Sequence, residues 1–121
     1  MNEECPNACA RAVQAQLDAY NARDIDAFAS VYTDDVRLID LATGSVFCTG
    51  IDNLRVRYGR QFEEKTQLHC QLVSRIVCPP FVIDEEHVTG LNPEGHVHAV
   101  ATYECRDGKI WRAWFLREVT P

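Results

Sequence analysis

A chain of 121 residues is the length of one domain and can bury roughly two-thirds of the surface that its unfolded form exposes, so a single unit over residues 1–121 is expected. Hydrophobic residues at 46% and charged residues at 25% exclude disorder and fibrous repeats, and a formal charge of -6 without any run of Lys or Arg excludes a grip on nucleic-acid phosphates. No apolar stretch reaches the roughly 18 residues of a membrane span, and Met1 to Pro6 lacks the basic and apolar parts of a secretory signal, so a cytoplasmic chain with no membrane partner is expected.

In that setting all six cysteines are expected to be free thiols. Cys70, Cys78 and Cys105 fall within strand-like segments, where cysteine packs as a small hydrophobe. Cys5 and Cys9 match the spacing of neither a redox pair nor a zinc site, and no metal or other cofactor is expected.

Asn7 to Ala22 carries Ala8, Ala12, Ala15 and Ala19 with Val13, Leu17 and Tyr20 at spacings of three and four, opposite Arg11, Gln14 and Asp18. That spacing predicts an amphipathic helix. Asp24 is placed to cap a short second helix through Phe28 and Val31, stopped by Thr33-Asp34-Asp35. Val36 to Leu41 and Val46 to Thr49 then read as a hairpin about Ala42-Thr43-Gly44-Ser45. Leu54, Tyr58 and Phe62 recur at four within Asp52 to Glu64 and predict a third helix. Gln67 to Cys78 and Phe81 to Gly90 are strand-like runs divided by Pro79-Pro80, and His96 to Arg106 is joined to Lys109 to Glu118 by the hairpin dipeptide Asp107-Gly108. Helices followed by long antiparallel strands predict an α+β fold with a curled sheet.

From about Ala10 to Glu118 the chain resembles the nuclear transport factor 2-like superfamily, in its SnoaL-like and ketosteroid isomerase-like branch. The resemblance is carried by Tyr20-Asn21-Ala22-Arg23-Asp24-Ile25-Asp26-Ala27-Phe28, Tyr32-Thr33-Asp34-Asp35-Val36, Gly50 with Leu54-Arg55, and Asp107-Gly108-Lys109-Ile110. It implies a cone: a strongly curved antiparallel sheet wrapped round the first and third helices, open at one end to a small hydrophobic molecule, with homodimers formed through the outer sheet face. Members of such families differ widely in chemistry, so fold alone leaves function open.

The resemblance also implies that Asp40 stands at the position of a proton-shuttling carboxylate. Abstraction beside a carbonyl needs a partly desolvated base within hydrogen-bond reach. The competing role is acceptance of the amides of the following turn. Gln16 and Ala101 occupy the positions of the oxyanion donors, and Ala101 has no side chain that donates, so ketosteroid isomerase activity itself is not expected. Tyr20, Tyr32, Tyr58 and Tyr103 join Gln16 and Ala101 as expected substrate contacts.

His98 is the second candidate base, since imidazole titrates near neutrality. If Ala99, Ala101 and Tyr103 face inward, alternation turns His96 and His98 to the outer face, and a slip of one residue reverses this. In Asp84-Glu85-Glu86-His87 the two pairs alternate, and a solvated or dimer-edge stretch is the expectation. Arg112 and Arg117 suit either an anionic group or a neighbouring acid, while Trp111, Trp114 and Phe115 read as core and interface mass. The function expected is a cofactor-independent isomerase, cyclase or dehydratase working by Asp40-centred proton transfer, the alternative being a non-catalytic binding or dimerisation module.

Overall fold

The computed structural model describes residues 7–91 and 95–118. Helices α1 (Ala8–Ala22), α2 (Ile25–Ser30) and α3 (Ile51–Glu64) cover one face of a curved, unclosed sheet. Its strands are β1 (Tyr32–Asp40), β2 (Val46–Thr49), β3 (His69–Cys78), β4 (Phe81–Thr89), β5 (His96–Arg106) and β6 (Lys109–Arg117), in the order β2-β1-β6-β5-β4-β3. α1 packs on β3 through β6 and α3 on β1 and β2.

The alanine-rich stripe of α1 lets the helix lie close to the sheet, burying Ala12, Val13, Leu17 and Ala19. Asp24 caps α2 as its position predicts, accepting the Ala27 amide at 3.1 Å. α3 buries Leu54 and Phe62. The β5–β6 hairpin turns on Asp107 and Gly108 at φ of 54° and 79°, the left-handed pair that a two-residue hairpin loop demands. Gly90, at φ 85°, lies so close to the Gln67 carbonyl that a Cβ there would collide with backbone.

Three expectations need correction. β1 begins at Tyr32 rather than Val36, because the chain leaving α2 is already paired to the final strand: Tyr32 stands opposite Ile110, whose amide donates to the Val31 carbonyl at 2.9 Å. The sheet is mixed rather than wholly antiparallel, since β1 runs parallel to β6, a long-range pairing that no turn signal announces. The thiols are not all free: Cys9 and Cys105 form a disulfide across 96 residues of sequence, because the first turn of α1 is packed against the end of β5. Cys48, Cys70 and Cys78 are free, and Cys5 lies outside the described residues.

Asp84 on β4 is fully buried and holds Arg75 of β3 in a two-pronged ion pair, Nε to Oδ1 at 2.7 Å and Nη2 to Oδ2 at 2.9 Å. Arg75 also donates to Gln14 of α1 at 2.8 Å, so one guanidinium joins two strands to the helix above them. On the other sheet face a lateral row, Ile76, Ile83, Thr102 and Trp114, crosses β3 to β6 and is left half-buried or exposed. No helix among the described residues is long and apolar enough to cross a membrane.

Candidate active site

A cavity of about 820 Å³ opens between α1, α3 and the inner sheet face. That is the size of a site for a drug-sized molecule. Its shape begins with Phe28. This α2 side chain is buried at the centre of an aromatic cluster, with ring centroids 6.1 Å from Tyr20, 5.1 Å from Tyr32, 4.8 Å from Tyr58 and 5.4 Å from Phe62. Packing at these separations fixes the rings of three tyrosines that line the cavity. Tyr103 reaches the lining from β5, edge-on to Phe115 at 6.2 Å.

None of the four tyrosine hydroxyls has a hydrogen-bond partner among the described residues. Burial raises all four phenols above the usual range, Tyr58 to about 12, and the charge of Glu86 adds to the effect at each. They therefore remain protonated donors at any working pH.

Glu86 is the acid within electrostatic reach of all four tyrosines. It is 8% exposed on the inner face of β4, between Leu72 of β3 and Ala99 of β5. Burial, reinforced by the charge of Asp84, pushes its carboxyl up to about 7. The Cys70 thiol hydrogen-bonds to it and is itself raised, by burial first and the Glu86 charge second. Cys70 is set in place by Asn21 near the end of α1, whose side chain accepts its amide at 2.7 Å and donates to its carbonyl at 3.0 Å. A carboxyl that titrates near neutrality in a cavity of neutral donors can both take and return a proton.

Asp40 is on the cavity lining, at the end of β1. Its Oδ1 accepts the Ala42 amide at 2.9 Å, so the turn role is present, and Ala42, Thr43 and Ser45 beside it also belong to the lining. Gln16 lines the cavity, and its amide oxygen, like that of Gln61, is buried without a donor among the described residues. Ala101 is fully buried opposite Asp84 but is not part of the lining.

His98 stands apart from these groups. Tyr103 and Ala101 face inward, so alternation carries His98 to the outer face, where it bridges Glu118 and Glu85, the latter at 2.8 Å. Those two carboxylates, Glu118 foremost, raise its pKa. His87 and His96 stack beside it with centroids 5.0 Å apart, yet among the described residues no three His, Cys, Asp or Glu side chains are arranged to hold a metal. Arg112 is tied to Glu104 at 2.7 Å and covers Trp111, whereas Arg117 lines the cavity.

The expectation of a solvated Asp84-Glu85-Glu86-His87 stretch is overturned for its inner pair. Asp84 and Glu86 share their face with Val82 and Val88, and all four are buried. The alternation was legible, and the flanking valines marked the inner face. Apolar Phe81 and Ile83 on the opposite face masked that signal.

The pattern of the SnoaL-like domain matches residues 13–113. Among solved structures, an uncharacterized cystatin-fold protein from Novosphingobium aromaticivorans is 27% identical, with 94% of this chain and 100% of that one covered at a TM-score of 0.81. An NTF-2 like protein of unknown function from Burkholderia xenovorans is 19% identical over 95% of this chain and 88% of that one, at 0.77. A hypothetical protein from Catenulispora acidiphila with a ketosteroid isomerase-like fold, solved in complex with trimethylamine, is 17% identical over 87% and 83%, at 0.71. A search of the curated proteins finds no significant match. With the SnoaL-like pattern running through most of its length and the same curved sheet beneath it, the chain belongs to the SnoaL-like domain family.

Proposed function

We propose that this cavity binds a small, largely apolar carbonyl compound and moves a proton on it without a cofactor, in an isomerase, cyclase or dehydratase reaction, with Glu86 as the group that carries the proton. The observation that carries the reading is a buried carboxyl titrating near 7 among four unpartnered phenols. Ionised Glu86 takes the proton next to the carbonyl, and the electron pair left behind moves onto the carbonyl oxygen. Tyrosine hydroxyls donate to that enolate, the type of stabilisation that supplies roughly 3 to 4 kcal/mol per donor. Protonated Glu86 then returns the proton, at the same carbon or another. Asp40 is the competing base, supported by its place on the lining. A homodimer seated on the lateral row Ile76, Ile83, Thr102 and Trp114 belongs to the same proposal.

The test is deuterium exchange at the carbon next to the carbonyl of 2-tetralone, followed by NMR. Wild-type protein is expected to accelerate exchange, and Glu86→Gln to lower the acceleration about 10²- to 10⁴-fold. Loss in Asp40→Asn with retention in Glu86→Gln would transfer the role to Asp40. Binding without exchange would favour a non-catalytic module.

A further inference from the structure

Resting on that reading of the cavity, we propose that its ligand is a monoanionic amphiphile, a ring-like apolar ketone whose single carboxylate is held between Arg57 and Arg117. Arg57 comes from α3, one residue before Tyr58, and Arg117 from the end of β6 opposite Ala99, so the two cations approach the same lining from a helix and from the sheet. Both charges oppose the rise that burial imposes on the Tyr58 phenol, and Arg117 also that on Tyr20, which puts both within electrostatic reach of the tyrosine group.

Arg55, Arg75, Arg106 and Arg112 each have a carboxylate partner. Arg57 and Arg117 have none among the described residues, as is true of Arg23, Arg37 and Arg60, but Arg57 and Arg117 are the two arginines of the lining. Arg57 is held over the Phe47 ring at 4.7 Å, an arrangement that leaves the guanidinium edge to donate. The chain as a whole carries -6, so a general basic surface is not the reason for two unpaired cations on one cavity.

The counter-charges decide the class of anion. Asp40 and Glu86 share the lining, so the two guanidinium groups face one carboxylate while Glu86 is protonated and two once it ionises, which suits a carboxylate better than a dianionic phosphate. Planar, two-pronged donation by guanidinium matches carboxylate geometry. Glu86 holds its proton up to about pH 7, so its repulsion of an anionic ligand is relieved on the acid side of neutrality.

The experiment compares the dissociation constants of 2-tetralone carrying a 6-carboxylate, its methyl ester and 2-tetralone itself. The acid is expected to bind about ten-fold more tightly than the ester at low salt, with the gap closing as ionic strength rises. The double variant Arg57→Gln/Arg117→Gln should erase the preference and leave ester binding in place, and the Lys replacements should restore part of it. Equal binding of acid and ester by the wild type, or a preference that survives the double variant, would overturn the inference. In either case continued exchange on 2-tetralone would leave the proton-transfer reading intact. Failure of all three compounds to bind would overturn both. Arg117→Gln alone, at an exposed site without a carboxylate partner among the described residues, provides a folded comparison if the double variant is unstable.

Discussion

Glu86 releases its proton near 7 in the folded chain, against an ordinary value of 4.5. Between those values the folded protein binds a proton that the unfolded chain has lost, so this group's contribution is fully present below about 4.5 and falls away as pH rises through about 7. The whole difference is on the order of 3 kcal/mol. Glu86→Gln keeps the shape and removes the titration. The variant is therefore expected to gain stability relative to wild type between pH 5 and pH 8, read by urea unfolding at each pH, and a difference that does not change with pH would contradict it. Residue type and face were legible here, since alternation correctly paired Asp84 with Glu86. Burial was not, because a strand with apolar residues on both faces does not say which face the helices cover. Asp40 shows the reverse case: its position at a strand end was legible, and the same position gives its carboxylate the Ala42 amide as a partner.

Among the elements, β3, β4 and α1 are joined by a charge network rather than by apolar packing alone. Asp84 is fully buried and Arg75 half-buried, and removing one member of such a pair leaves the other charge without its partner in a poor solvent. Asp84→Asn is expected to lower unfolding free energy by about 3 to 5 kcal/mol, with much of the loss recovered in Asp84→Leu/Arg75→Met. A loss below about 1 kcal/mol in the single variant would show that the pair is solvated. Helices and hairpins were the legible elements, because their signals are local: the alanine stripe, the Asp24 cap, the four-residue spacing of Leu54, Tyr58 and Phe62, and Asp107-Gly108. The parallel union of β1 with β6 and the Cys9–Cys105 bond were not, since both join segments far apart in sequence and leave no mark in local pattern.

At the scale of the molecule, helices cover one sheet face and the row Ile76, Ile83, Thr102 and Trp114, apolar but for the threonine, crosses the other. If that row is the seat of a homodimer, light scattering will give about twice the 13.7 kDa of the chain, and Ile76→Glu will return it to one copy. A monomeric wild type would contradict this. The cavity and the acid within it carry the larger claim, and NMR of protein labelled with 13C at the glutamate carboxyl carbons tests that claim most directly. One signal, absent from Glu86→Gln, is predicted to titrate near pH 7. A spectrum in which every glutamate has lost its proton by pH 5.5 would contradict the account.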